Sequence, residues 1–366
     1  MNNRFTRLLS ERDVLLADGA TGTNLFAMGL QTGDAPELWN SLYPERVAAN
    51  HQAFIEAGAD IILTNSFGGN RYRLQLHQSE NRVAELNQAA ARIARQQADQ
   101  AERPVIVAGA MGPTGDILEP NGPLSIADAT AAFAEQAQSL AAGGVDVLWI
   151  ETLSASEELD AALRGASSTG LPIICTLSFD TNGRTMMGLT PGDLLQTASQ
   201  HPARPHACGS NCGVGAAEVV ASIIVINSLA ESTGTEQEGQ APLFVAKANC
   251  GIPEYLDGRI VYNGTPELMA NYARLARDAG ARIIGGCCGT TAAHTRAMRV
   301  ALDNYPRGPQ PDAAAIVTQL GEISTGARAQ LRGDFSIAGG SASGRDPLSR
   351  AGRSGRASRS RGRAKA

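Results

Sequence analysis

Two adjacent cysteines, Cys287 and Cys288, lie between glycines in the segment GGCCGT at residues 285–290. A third cysteine, Cys212, ends the segment GSNC earlier in the chain. Zinc binds cysteine thiolates well, and a catalytic zinc site keeps three protein ligands and one open position. Three thiols brought to one place would therefore form a zinc site with room for a substrate.

The adjacency of the two cysteines raises a geometric problem, because neighbouring side chains of a regular strand point to opposite faces. Glycines at 285, 286 and 289 would allow a local bulge or twist that turns both thiols towards one metal. Two other interpretations remain open for the pair alone, namely small buried core residues and a strained vicinal disulfide. The GSNC segment favours zinc over both. Among the other cysteines, Cys175 and Cys208 are predicted core residues, and Cys250 could lie near the metal without binding it.

A centre of three thiolates and Zn²⁺ carries one net negative charge, so it activates water poorly. Such a soft site instead binds a fourth thiol and deprotonates it. The bound thiolate is a nucleophile at neutral pH. The pattern therefore favours alkyl transfer to a thiol over hydrolysis, and a non-catalytic zinc- or thiol-binding protein is the alternative.

The elements that would position these cysteines alternate regularly along the chain. Eight short apolar segments are separated by helical patterns, which predicts parallel strands joined by right-handed crossovers. Eight such units in about 290 residues predict a (β/α)8 TIM barrel. A doubly wound open sheet is the alternative, but DGATGTNL does not match the GxGxxG phosphate-binding pattern. The predicted strands span residues 14–21, 59–67, 104–112, 145–153, 171–180, 205–213, 242–251 and 281–289.

In a barrel of this kind the active site forms where the strands end and the βα loops begin. Asp18, Glu151, Cys212 and the Cys287–Cys288 pair all fall at such strand ends. We therefore expect these side chains to share one face of the barrel.

The composition fits a large α/β domain followed by a different C-terminal segment. The 366 residues are 43% hydrophobic with a formal charge of −5. We predict a barrel over 1–306 and an extension over 307–366, in which the Gly-, Ser-, Ala- and Arg-rich residues 339–366 are disordered. The chain start resembles no signal peptide, and no 18-residue stretch is uninterruptedly apolar, which predicts a cytoplasmic protein without a membrane span. The basic tail does not by itself favour nucleic-acid binding, and the sequence does not determine the oligomeric state.

Six segments together resemble the homocysteine S-methyltransferase family. This family includes betaine–homocysteine methyltransferases, S-methylmethionine-dependent enzymes and the homocysteine module of cobalamin-dependent methionine synthase. The resemblance covers about residues 10–305 and implies a (β/α)8 barrel with a three-cysteine zinc site. The segments are DGATGT, ADIILTNSF, GPTGDILEP, IET, the GxNC motif and GGCCGT.

The resemblance also implies a reaction, which is methyl transfer to the thiol of homocysteine to give methionine. Cys212, Cys287 and Cys288 would be the zinc ligands, and Asn249 would be a resting fourth ligand that the substrate displaces. The other implied roles concern the amino-acid part of homocysteine. Its amino group would be bound by Asp18 and Glu151, and its carboxylate by backbone amides near Gly19 and the segment from Thr64 to Ser66.

The methyl donor is predicted to be glycine betaine, because a quaternary ammonium group binds to aromatic faces. Four aromatics lie in or near the first two βα loops of an aromatic-poor chain, and Trp39 is the strongest candidate. Against betaine, Gly68 stands where betaine enzymes carry an aromatic, and GPTGDILEP is closer to the methionine synthase module. The alternatives are methyl transfer from a separate corrinoid protein and an S-methylmethionine donor. The four aromatics are Trp39, Tyr43, Phe67 and Tyr72.

Overall fold

The computed structural model describes residues 3–233, 242–256 and 259–337. Its main sheet has eight parallel strands, and a separate antiparallel hairpin follows the seventh. The strands of the main sheet are β1 Leu15–Leu16, β2 Ile61–Leu63, β3 Ile106–Met111, β4 Val147–Leu153, β5 Ile173–Leu177, β6 Ala207–Cys212, β7 Leu243–Ala248 and β10 Ala281–Gly286. The hairpin strands are β8 Pro253–Leu256 and β9 Arg259–Tyr262.

The eight parallel strands close into a barrel. Their order is β1-β10-β7-β6-β5-β4-β3-β2, and a parallel bridge between Ala17 and Ile61 joins β1 to β2. The Asp18 N–H donates to the Ile61 carbonyl oxygen at 2.9 Å across the same seam. The predicted TIM barrel and its eight strands are therefore confirmed, and the open-sheet alternative is excluded.

Helices surround the barrel, and the N-caps Ser125 and Thr265 accept hydrogen bonds from the first turns of their helices. Single 3₁₀ turns cover Pro36–Leu38 and Glu80–Arg82. The α-helices are α1 Arg4–Glu11, α2 Gly22–Ala27, α3 Trp39–Leu42, α4 Pro44–Glu56, α5 Arg71–Gln75, α6 Val83–Gln100, α7 Ile126–Gly143, α8 Ser156–Ser167, α9 Pro191–Gln200, α10 Ala216–Thr233, α11 Pro266–Asp278, α12 Ala292–Leu302, α13 Ala313–Leu320 and α14 Thr325–Gln330.

The core has two layers because strand side chains alternate between the barrel interior and the surrounding helices. In β7, Val245 belongs to the interior cluster with Trp149 and Ile283, whereas Ala246 and Ala248 pack in the outer layer. The helix α10 is long and apolar enough to cross a membrane, but most of it is buried in the protein, as in a core helix.

The described part of the predicted C-terminal extension is helical and packs on the barrel. Ile316 of α13 and Ile323 are buried in the outer core layer. The Gln330 side chain donates to the Gly183 carbonyl oxygen at 2.9 Å. Residues 307–337 therefore add packing to the barrel, whereas the predicted disordered segment 339–366 lies outside the described residues.

Candidate active site

Three thiols meet at the carboxyl end of the barrel. The sulfur atoms of Cys212, Cys287 and Cys288 all lie within 4.8 Å of one another, and Cys212 Sγ is 4.0 Å from Cys288 Sγ. Tetrahedral zinc with Zn–S bonds of about 2.3 Å requires sulfur separations of about 3.8 Å. The cluster therefore fits a zinc ion with small side-chain adjustments.

The protonation of the cluster also suits a metal. Hydrogen bonds among the three thiols act on each pKa in opposite directions, and burial and repulsion between neighbouring thiolates raise the pKa of Cys212, Cys287 and Cys288 to about 12. The thiols are thus protonated at neutral pH unless a cation stabilises the thiolates. Metal binding would release protons, as expected for a thiolate site.

Cys212 reaches the cluster through an unusual backbone conformation. It is the last residue of β6 and has φ +60°, in the left-handed region that non-glycine residues rarely adopt. The preceding Asn211 is fully buried, accepts a 3.0 Å hydrogen bond from the Thr152 N–H and donates to the Thr152 hydroxyl at 2.7 Å. The asparagine of GSNC therefore links the end of β6 to the end of β4, next to Glu151.

The adjacent cysteines lie in a turn that follows β10, so of the predicted bulge or twist the structure has no bulge at this position and reorients the backbone by a turn. The strand ends at Gly286, and the Thr290 N–H donates to the Cys287 carbonyl oxygen at 3.1 Å. Inside this turn Gly289 has φ +77°, and a Cβ there would lie 2.4 Å from the Tyr262 ring. The register irregularity of β10 occurs at the other end of the strand. Both thiols can face one point because the turn has no pleat.

Asn249 connects the two segments that carry the cysteines. Its side-chain oxygen accepts from the Cys288 N–H at 3.0 Å, and its side-chain nitrogen donates to the Gly213 carbonyl oxygen at 2.7 Å. The role of Asn249 as a fourth metal ligand stays a prediction. Its neighbour Cys250 lies outside the cluster, with its sulfur 3.0 Å from the Gly264 carbonyl oxygen and 3.2 Å from His294 Nε2.

Asp18 and Glu151 are both buried at this end of the barrel. Asp18 Oδ2 accepts from the Leu63 N–H at 2.8 Å, and Asp18 Oδ1 has no hydrogen-bond partner among the described residues. Burial raises the pKa of Asp18 to about 7 and raises the pKa of Glu151, and Lys247 opposes both shifts. A buried carboxylate oxygen without a donor is a site at which a ligand cation would bind.

Lys247 is a site residue that the sequence reasoning missed. It is 3% exposed, its Nζ lies 3.7 Å from Asp18 Oδ1, and it donates to the Gly19 carbonyl oxygen at 3.3 Å. Burial disfavours its charge, but anionic neighbours led by Asp18 raise the pKa of Lys247 above its usual value. The available signal was a single charged residue inside the apolar segment FVAKA.

The hydroxyls of Thr64 and Ser66 are used within the barrel. They lie 2.6 Å apart, and they bond to the Ala110 N–H at 3.0 Å and to the Ala110 carbonyl oxygen at 2.8 Å. In contrast, the N–H groups of Gly19 and Asn65 donate no hydrogen bond within the described part of the chain. The predicted carboxylate contacts near Gly19 and within 64–66 would thus fall on these two amides.

The structure does not present Trp39 as a free aromatic face. The indole is 4% exposed and packs with Leu25 and Val47 in a small apolar cluster. The Arg46 guanidinium lies 5.0 Å from its ring centroid, so a protein cation already occupies the cation–π position. In this conformation Trp39 is a structural residue of the first βα segment.

Gly68 leaves room for a buried carboxylate. The Gly68 N–H donates to Glu37 Oε1 at 2.6 Å, and a Cβ at position 68 would lie 3.0 Å from the same oxygen. Glu37 is buried, and burial raises its pKa. This packing explains why an aromatic side chain has no place at position 68.

A closed eight-stranded barrel with a thiol cluster and buried carboxylates at its carboxyl end defines a TIM-barrel protein with a thiol-lined candidate metal site. A family model described as homocysteine S-methyltransferase matches residues 15–302. The chain therefore belongs to the homocysteine S-methyltransferase family, a family of methyltransferases acting on homocysteine.

Similar proteins include two mycobacterial methionine synthases. The chain is 30% identical over 316 residues to that of Mycobacterium tuberculosis (strain ATCC 25618 / H37Rv), covering 82% of this chain and 25% of the relative. It is 28% identical over 328 residues to that of Mycobacterium leprae (strain TN), covering 85% and 26%. The chain spans about a quarter of the length of these relatives.

The fold is also similar to that of a solved homocysteine methyltransferase, MmuM from Escherichia coli. Its metallated form aligns with a TM-score of 0.65 and 23% identity, covering 81% of this chain and 99% of that chain. Its oxidised form aligns with the same score and identity, covering 82% and 99%. This similarity supports the barrel fold.

Proposed function

We propose that the protein transfers a methyl group to the thiol of homocysteine and produces methionine, with zinc held by Cys212, Cys287 and Cys288. The observation that carries this proposal is the convergence of three sulfurs within 4.8 Å. They lie at the barrel end that also holds Asp18, whose Oδ1 lacks a donor within the described residues. A thiol site beside an ammonium site suits an amino acid with a thiol side chain.

Different groups of the site would bind the thiol, the ammonium group and the carboxylate of homocysteine. When bound, zinc would supply the charge that keeps the substrate sulfur as a thiolate. Asp18 and Glu151 would bind the ammonium group through charge-assisted hydrogen bonds. The unused N–H groups of Gly19 and Asn65 are at the ends of the neighbouring strands β1 and β2, where they could receive the carboxylate.

Glycine betaine remains a candidate donor, but two observations favour a donor that needs no aromatic cage. Trp39 is buried beneath Arg46, and Gly68 packs against Glu37. S-methylmethionine and a methylated corrinoid protein are the other candidates, and the similarity to methionine synthases supports the second.

A further observation favours a protein donor. Of the large hydrophobic side chains exposed in the described part of the chain, all but Val300 lie between the end of a barrel strand and the first turn of the long helix that precedes the next strand. We call this set the apolar rim. Exposed apolar groups concentrated in the loops of one barrel end support a protein partner. The rim consists of Phe26, Met28, Leu42, Tyr43, Phe67, Leu76, Ile117, Ile126, Met186, Met187, Ile252 and Val261.

A donor screen tests both parts of the proposal. Zinc-loaded protein would be incubated with homocysteine and, in turn, betaine, S-methylmethionine or a methylated corrinoid protein, and methionine would be measured. We expect methionine from at least one donor and none when homocysteine is omitted. Methionine with betaine alone would refute the preference for a protein donor, and no homocysteine binding by the zinc-loaded protein would refute the proposed function.

A further inference from the structure

We propose that Lys247 binds the α-carboxylate of the substrate and makes the pocket selective for a zwitterionic amino acid. This inference rests on the proposed function, because it assigns a role within the same site. Three observations support it: the position of the Lys247 ammonium group, the N–H donors of this group that make no hydrogen bond, and the rarity of lysine in this chain.

The Lys247 side chain reaches across a neighbouring strand. It starts on β7, where it pairs with Gly285 of β10, and its Nζ contacts Asp18 and Gly19 after β1. Strand β10 separates β7 from β1, and adjacent strands are about 4.8 Å apart. A Cβ at position 285 would already lie 2.8 Å from the Ala17 Cβ. Glycine at 285 thus lets the end of β1 pack closely against β10, which brings Asp18 and Gly19 within reach of the lysine.

The ammonium group retains hydrogen-bonding capacity. Lysine has three N–H donors, and within the described residues Lys247 Nζ makes one hydrogen bond, to the Gly19 carbonyl oxygen. Asp18 Oδ1 lies 3.7 Å away, at the distance of an ion pair and beyond that of a hydrogen bond. The ion pair therefore leaves N–H donors on the lysine and an acceptor on the carboxylate for a ligand. An α-amino acid carries the matching pair, a carboxylate next to an ammonium group.

The choice of lysine is unusual for this protein. Of its 31 basic residues only two are lysines, Lys247 and Lys365, and the rest are arginines. Arginine is the usual partner in buried ion pairs, whereas lysine offers a compact charge with rotatable donors. A compact ammonium group at residue 247 leaves space for a substrate carboxylate that a guanidinium would fill.

The competing explanation is a structural counter-ion for Asp18 and Glu151. Both explanations predict weaker homocysteine binding when the charge is removed. They differ for 3-aminopropane-1-thiol, which is homocysteine without its carboxylate. A carboxylate-binding lysine contributes nothing to the binding of this ligand, whereas a counter-ion that organises the two acids supports both ligands equally.

The test measures both ligands by isothermal titration calorimetry on zinc-loaded wild-type protein and Lys247→Met, with Lys365→Met as the matched control. For Lys247→Met we expect a 10- to 100-fold rise in the homocysteine Kd, since a charge-assisted hydrogen bond contributes about 1.5–3 kcal/mol. The Kd of 3-aminopropane-1-thiol should not rise, because this ligand has no carboxylate for Lys247 to bind. The Lys365→Met protein should have the same Kd as the wild-type protein for both ligands.

A second measurement does not depend on the variant folding. In wild-type protein labelled with ¹³C-lysine, Lys365→Met identifies the Lys247 signal. 4-Mercaptobutanoate, which keeps the carboxylate and lacks the amino group, should shift that signal at saturation. An unshifted signal, or equal weakening of both thiols by Lys247→Met, would overturn the inference. Failure of wild-type protein to bind any of these thiols would instead count against the proposed function.

Discussion

Asp18→Asn isolates the charge of one buried carboxylate and leaves its geometry in place. An asparagine oxygen can still accept the 2.8 Å hydrogen bond from the Leu63 N–H, so the seam between β1 and β2 should persist. The change replaces Oδ1, which accepts no hydrogen bond from the described residues, with an amide nitrogen. Because the thiols are not altered, zinc content should remain at the wild-type level.

The magnitude follows from the interaction that is removed. Asp18 is 1% exposed, so a bond from the substrate ammonium to this carboxylate would form away from water. Removal of a charge-assisted hydrogen bond costs about 1.5–3 kcal/mol, which corresponds to roughly a 10- to 100-fold rise in Kd. We expect that rise for homocysteine.

Calorimetric titration of the zinc-loaded variant provides the assay, with 4-mercaptobutanoate as the control ligand. This ligand has no ammonium group, and its carboxylate is repelled by Asp18, so its Kd should not rise in Asp18→Asn protein. A homocysteine Kd unchanged by the substitution would remove Asp18 from the ammonium site. A parallel weakening of both ligands would show that the variant perturbs the whole pocket.

Three further predictions concern the metal, the barrel base and pH. Cys212→Ala should lose most bound zinc while Cys250→Ala retains it, and metal analysis showing equal zinc in both would contradict the ligand assignment. Asp60 accepts from three arginines and from the Leu16 N–H, so Asp60→Asn should lower the free energy of unfolding by about 3 kcal/mol in urea titrations, and a loss well below 1 kcal/mol would refute this. His51 has no hydrogen-bond partner for either ring nitrogen within the described residues, and burial lowers its pKa to about 4. The free energy of unfolding should therefore keep its full value, as far as His51 is concerned, above pH 6.5. It should fall by about 3 kcal/mol as the pH drops towards 4, because the unfolded state then binds a proton that the folded state does not. His51→Leu should remove that part of the slope, and an unchanged slope would contradict the assignment.

The sequence by itself determined the strands and the placement of the thiols at strand ends. Apolar segments alternating with helical patterns are local features, and burial on both faces of a parallel sheet requires such segments. The cysteine motifs were also local, because GSNC and GGCCGT each end a predicted strand. Once the barrel was predicted, the common carboxyl end of its strands brought Asp18, Glu151 and the thiols to one face.

Other features depended on contacts between residues far apart in the chain. The aromatic residues of the first loops could be counted from the sequence, but only packing decided that Arg46 covers Trp39 and that Glu37 fills the space beside Gly68. The sequence similarly gave no reason for the left-handed conformation of Cys212, which depends on the neighbouring Asn211 joining β6 to β4.

Lys247 illustrates this difference. In the sequence it is a single charged residue within an apolar strand, and the residues around it do not indicate which acidic residue it pairs with. Its role depends on Asp18, which lies 229 positions earlier and is brought within 3.7 Å only when β10 closes the barrel between them. Strand periodicity specifies which side chains face inward, whereas the order of strands around the barrel decides which of those side chains meet.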